Sequence, residues 1–291
     1  TRIHGEMLSR VAQDRKPPPR VVSLLRLMSD YVFDADTAVT SGDDGVFSAT
    51  LHDRWTIEKV PNGGYTMAVM LRACQQMSRH PDPLTATAHF LSPATTGPVE
   101  VQVEVVKAGR STSTLVAALH QDGRERVRML TTLGHLDSRS GPTHHYLSPP
   151  PLEPPFTQQR SLLSQNFPNN FRFEIPERVA GGAIGEPTGE PEVGGRIAFA
   201  DGRHPDLLAL PVFADGMPPA AFNLGYAAWT PTIELTIHFW NHPAPGPVTV
   251  WFHSAVVEGG YHDESGDIWD SEGRLVARSR QFARILVAPG S

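Results

Sequence analysis

Few residues of this chain stand in surroundings that make them chemically unusual, and Asp215 is the first of them. From Asp206 to Phe222 the sequence reads as helical and apolar, interrupted by Pro211 and Pro218-Pro219, and past Asp206 it holds one acid. Val212, Phe213, Met217 and Phe222 surround that acid. A carboxyl among apolar neighbours is costly to ionise, so its pKa rises and it becomes a better proton acceptor at neutral pH. By residue type alone Asp215 reads equally as a helix cap. The second candidate is Asn62-Gly63-Gly64, which follows Pro61 and precedes an amphipathic run. The N–H groups that begin a helix are unpaired and sit at the positive end of its dipole, so they can polarise a carbonyl oxygen. Glycine there admits close approach to the backbone. The remaining reactive types are scattered. His144-His145 have no third ligand near them, Cys74 is the single cysteine, and there is no Gly-x-Ser-x-Gly elbow. No metal or cofactor is expected, and a serine hydrolase is disfavoured.

The elements that must position these residues are written twice. Thr87-Ala88-His89-Phe90 and Gly97-Pro98-Val99-Glu100-Val101 recur, at a constant offset of 149, as Thr236-Ile237-His238-Phe239 and Gly246-Pro247-Val248-Thr249-Val250. Asp122-Gly123-Arg124 recurs one residue out of step as Glu272-Gly273-Arg274. An offset this long exceeds any solenoid repeat and implies two copies of a small domain. His89 and His238 are matched in both copies, which points to a structural role. Asp215 and the Asn-Gly-Gly turn are not repeated, so a site is expected at the seam between copies, where they diverge.

In the first copy Val46–Leu51 and Trp55–Ile57 read as short strands. Met67, Met70, Cys74 and Met77 then form one helical stripe, expected to be core. Strands are predicted over Leu84–Leu91, Val99–Lys107, Ser113–His120 and Arg126–Leu133, with Val99, Val101, Val103 and Val105 on one buried face. The second copy is expected to run Gly195–Ala200 (strand), Asp206–Phe222 (helical), then strands at Thr232–Phe239, Val248–Val257, Asp267–Asp270 and Leu275–Val287. A strand, one helix and further antiparallel strands make an α+β pattern. The organisation expected is a flexible arm over 1–27, repeats over 28–137 and 190–288, and a Pro/Gly-rich linker over 138–189.

The chain has 291 residues, 40% hydrophobic, with 25 Gly, 27 Pro and a net charge of −6. No long basic run appears, so nucleic acid is not expected as a partner. No run of about 18 apolar residues exists, so no membrane span is expected. One cysteine makes an intrachain disulfide impossible, and a cytoplasmic setting is the expectation.

Several short segments, in order and spacing, carry a family resemblance: Pro61-Asn62-Gly63-Gly64-Tyr65, Phe90-Leu91-Ser92-Pro93, Ala214–Pro219, Trp229–Leu235, Ile268-Trp269-Asp270 and Arg278-Ser279-Arg280-Gln281. Together they resemble the type II (TesB-like) acyl-CoA thioesterases. The resemblance implies a double hot-dog fold, two fused repeats each with an antiparallel sheet wrapped around a central helix. It implies hydrolysis of fatty acyl-CoA by a water held by Asp215, Thr232 and Gln281, with Asn62, Gly63 and Gly64 binding substrate and copies of the chain associating as a homo-oligomer. By the offset, Thr232 falls opposite Pro83 and Gln281 opposite about Thr131, so the catalytic set belongs to the second copy alone. Taken singly, Thr232 is an ordinary strand residue. Gln281, on one face with Ser279 and opposite Phe282, reads as solvent-facing. Two other functions fit the same fold: a non-catalytic acyl-CoA-binding module, and an acyl-thioester hydratase or dehydratase. The second would want an Asp–His or Glu–His pair, and no His lies near Asp215 in sequence.

Overall fold

The computed structural model describes residues 31–157, 166–226 and 228–286. The chain divides into two compact units, residues 1–35 and 36–291. The described part of the first is Tyr31–Ala35, which opens a short helix (Val32–Asp36); the arm expected over 1–27 lies outside the described residues. The second unit is built on ten main strands. The first copy supplies β1 (Val46–Leu51), β2 (Asp82–Phe90), β3 (Gly97–Ala108), β4 (Ser113–Gln121) and β5 (Arg124–Gly134). The second supplies β6 (Glu192–Phe199), β7 (Thr232–Phe239), β8 (Val248–His253), β9 (Tyr261–Trp269) and β10 (Leu275–Arg284).

These strands form one antiparallel sheet in the order β1-β3-β4-β5-β2-β7-β10-β9-β8-β6. Read inward from either edge, each copy contributes its first, third, fourth, fifth and second strand, so the two halves share one topology. They meet where β2 pairs with β7, and Thr87 faces Thr236 there, the matched pair of the repeat. A pseudo-twofold axis therefore passes between these two threonines. Their hydroxyls lie 2.9 Å apart. Thr236 donates its proton to Glu234 Oε1, so Thr87 is the donor across the axis.

The alternation expected of β3 is present: Val99, Val101 and Val103 are buried and Glu100, Gln102 and Glu104 exposed. The buried face curves around α1 (Gly63–Met77), in which Met67, Met70 and Cys74 are inaccessible to solvent. Met77 departs from the expected stripe. It is 38% exposed, because it ends the helix at the rim of the core. This is a double hot-dog, α+β in class.

Three elements differ from expectation. The helical stretch predicted over 206–222 shrinks to α2 (Leu210–Ala214) and a 3-10 turn (Ala220–Leu224). Pro218 and Pro219 have no N–H to continue the helix, and Asp215 has already left it, at φ −123°, ψ 24°. The strand expected at 267–270 begins earlier, at Tyr261, because its inward positions include polar His262 and Glu264, which hide the alternation. Trp55 closes a 3-10 turn (Asp53–Trp55) ahead of a two-residue strand, Thr56–Ile57. Part of the 138–189 segment is also built into the fold. Phe171–Pro176 pairs antiparallel with β6 and extends the sheet. Phe167 and Phe171 meet Trp55 edge-on.

Candidate active site

The two copies also meet where α1 begins, against α2. Asn62 caps that helix, its Oδ1 accepting from Tyr65 N at 2.9 Å. Its amide Nδ2 is then free to reach the other copy. It donates to Asp215 Oδ2 and to the Asp215 carbonyl, both at 2.8 Å. Gly64 N–H, one of the unpaired donors of the first turn, donates to the same Oδ2 at 3.0 Å. The approach depends on glycine. A Cβ on Gly64 would lie 2.0 Å from the Pro211 carbonyl oxygen, and one on Gly63 would lie 2.8 Å from Phe90 Cζ and 3.1 Å from Asp215 Oδ2. The N–H expected to stand open for a carbonyl oxygen is thus occupied by Asp215.

Burial raises the Asp215 pKa from 3.8 to about 6, and the N–H groups of Gly64 and Gly63 and the Asn62 amide hold it from rising further. The carboxyl is therefore ionised at pH 7 with little margin, the condition of a competent base. The dipole of α1 adds to the stabilisation of that charge.

The other two expected residues form a second pair. Gln281 Nε2 donates to Thr232 Oγ1 at 2.6 Å. With its lone pair engaged by the amide, the Thr232 hydroxyl keeps its own proton for another acceptor. Gln281 overturns the solvent-facing reading. It is 6% exposed while Phe282 is 44% exposed, so on β10 the polar residue points inward and the aromatic outward. Phe282 stacks there on Tyr261, ring centroids 5.5 Å apart.

A cavity of about 410 Å³ opens beside these groups, with Asn62, Gly63, Asp215 and Thr232 on its wall. The rest is mainly apolar, with Phe90, Met217, Phe222 and Trp229 from the two copies and Phe167 and Phe173 from the segment between them. Size and lining suit a small-molecule site. Arg284 is the one cation among the described lining residues, its guanidinium 5.9 Å from the Tyr261 ring centre.

Sequence reasoning missed Glu264. It lies opposite Gln281 in the β9–β10 register, is 7% exposed, and its Oε2 accepts from Ala220 N at 2.6 Å. The signal was present: the repeat offset places Glu264 over Leu115, a core residue. The other candidates lie away from the cavity. His89 and His238 are exposed on the outer face of β2 and β7, and His144 and His145 are exposed. Cys74 is buried, which pushes its thiol up to about 12. Among the described residues no group of three His, Cys, Asp or Glu is placed to hold a metal, and no helix is long and apolar enough to cross a membrane.

Comparison with known proteins matches the two copies separately. Residues 51–134 match the model of the acyl-CoA thioesterase N-terminal domain, and residues 146–285 that of the C-terminal domain. An uncharacterized Mycobacterium tuberculosis protein is 26% identical over 271 residues, covering 82% of this chain and 91% of its own length. A crystal structure from Thermobifida fusca, provisionally described as a thioesterase II, superposes with a TM-score of 0.79 at 32% identity, over 88% of this chain and 98% of that one. A hot-dog protein of unknown function from Alicyclobacillus acidocaldarius also gives 0.79, at 21% identity over 89% and 99%, and shows the fold alone.

Proposed function

The chain belongs to the acyl-CoA thioesterase family and is a thioester hydrolase, and on that premise we propose that it hydrolyses fatty acyl-CoA to the free acid and CoA by direct attack of water. The observation that carries this reading is Asp215. It is a carboxylate of one copy, held ionised by Asn62 and the first turn of α1 from the other, and it faces an apolar cavity.

In the proposed mechanism the acyl chain lies in the apolar cavity, and Arg284 on its wall suits the phosphate-bearing end of CoA. Asp215, Thr232 and Gln281 hold one water against the thioester carbonyl. As the water oxygen bonds to the carbonyl carbon, Asp215 accepts its proton. The Thr232 hydroxyl, freed by its bond from Gln281 to donate, supports the oxygen that gains charge. Collapse of the tetrahedral intermediate breaks the C–S bond, and the proton on Asp215 returns to the departing thiolate. One water is consumed, one acid and one thiol are formed, and no covalent enzyme intermediate is needed. The test is thiol release from a series of acyl-CoAs of increasing chain length, alongside Asp215→Asn and Gln281→Ala. Turnover that survives both substitutions overturns the site. Absence of release at every chain length favours an acyl-CoA-binding module instead.

A further inference from the structure

Glu264 adjoins both halves of the proposed machinery, Gln281 across the strand pair and Asp215 near enough to act on its charge. Residues directly opposite on one face of an antiparallel pair have Cβ atoms about 5 Å apart, so Glu264 on β9 stands beside Gln281 on β10. Its Oε2 accepts from Ala220 N, the first N–H after Pro218-Pro219, and both prolines form the cavity wall next to Asp215. In the first copy the same two ladder positions hold Leu115 and Thr131. The second copy has thus replaced a buried leucine by a carboxyl. Glu264 forms no ion pair with a Lys or Arg among the described residues. Asp215 is held charged by the Asn62 amide and the N–H groups of Gly63 and Gly64, whereas Glu264 has the Ala220 N–H alone. Burial then favours the protonated form of Glu264, because the charged form loses far more solvation than the neutral one.

We infer that Glu264 is a positioning residue of this site, a neutral buried acid that fixes the Pro219–Ala220 turn beside Gln281 and leaves Asp215 the single negative charge in the pocket. The inference rests on the hydrolytic reading above. Among the described residues the ionisable groups near Glu264 are few. Asp215 lies across the turn. Asp263, its neighbour on β9, accepts from Ala255 and Val256 N–H. His262, two residues away on the same face, bonds Ser254 Oγ through Nδ1 at 3.3 Å, and burial lowers its pKa, which favours the neutral ring. Burial, helped by the charges of Asp215 and Asp263, raises the Glu264 pKa to about 8, against the pull of Ala220 N–H. Two carboxyls pushed apart in this way divide the roles of neutral acid and charged base.

When Glu264 ionises, a second negative charge enters the pocket and opposes the negative oxygen that forms there. The rate of acyl-CoA hydrolysis should therefore rise through about pH 6 with Asp215 and fall above about pH 8 with Glu264. In Glu264→Gln, which keeps an oxygen acceptor for Ala220 N, the acid limb should remain and the alkaline fall vanish. At pH 9 wild type should have lost about tenfold of its kcat/KM and the variant almost none. Glu264→Leu, the residue the first copy carries, should also lack the alkaline fall, with a lower kcat at every pH. An unchanged alkaline limb in Glu264→Gln overturns the inference, and so does an equal loss at every pH. A readout without turnover separates this from failure of the hydrolytic reading. The urea midpoint of wild type should fall between pH 6.5 and 8, as the unfolded glutamate, already ionised, gains on the folded one, and Glu264→Gln should stay level.

Discussion

Asp215→Asn should make the protein inactive and more stable at once, and the gain should depend on pH. Folded Asp215 has a pKa of about 6, against 3.8 for the free side chain. Between those values the unfolded chain gives up the proton while the folded chain keeps it. The Asp215 contribution to wild-type stability therefore falls as pH rises from 3.8 to 6 and is level above that. At about 1.4 kcal/mol for each tenfold change in proton affinity, the fall is about 3 kcal/mol. That figure is an upper one, since Asp215 faces the cavity and water there screens it. Asparagine has no charge to bury, and its oxygen can still accept from Asn62 and Gly64. Urea unfolding of the two proteins at matched pH cancels most of what other groups contribute. The variant's advantage should be smallest at pH 4, widen through pH 6 and plateau by pH 7. Its thiol release should drop about 10²- to 10⁴-fold, the usual worth of a general base. A stability gap of the same size at pH 4 and pH 8 would refute the idea that Asp215 is a buried carboxylate kept charged for use.

Three further outcomes follow from the geometry. Gly64→Ala places a methyl 2.0 Å from the Pro211 carbonyl oxygen, backbone against backbone, and should cost about 1–3 kcal/mol or more in urea unfolding with a matching loss of activity. Thr87→Val removes the donor across the pseudo-twofold axis. It should cost about 0.5–1.5 kcal/mol by thermal or urea unfolding, with turnover little changed. Thr232→Val takes away both the acceptor for Gln281 and the hydroxyl that faces the cavity, so kcat should fall at least tenfold while the folded circular-dichroism spectrum is retained.

Much of the fold was legible because sheets write themselves into sequence with a period of two. Val99, Val101 and Val103 announced their face, and the repeated Thr, His, Phe, Gly, Pro and Val positions announced two copies. The site was less legible, because its residues break those same patterns. Gln281 and Glu264 turn inward where strand alternation assigns polar residues to solvent, and Phe282 turns outward. The lone acid of an apolar stretch did single out Asp215, but the stretch is a five-residue helix with Asp215 just past its end. Phe167 and Phe173, which line the cavity, come from the segment read as a linker, where the short alternation Phe171-Arg172-Phe173-Glu174-Ile175 was overshadowed by the prolines and glycines around it.

By itself the sequence determined the duplication, the succession of most strands along each copy, the buried helix, and the divergence that places the reactive residues in one copy and the Asn-Gly-Gly turn in the other. These follow from local propensity and from like residues recurring at one offset. Only the tertiary structure decided that Gly64 N–H and the Asn62 amide are spent on Asp215, that Thr232 is oriented by Gln281, and that a second carboxyl stands behind them. Those relations join residues up to 153 positions apart. They depend on how closely two backbones can approach and on which side of a strand faces in, which no local pattern encodes.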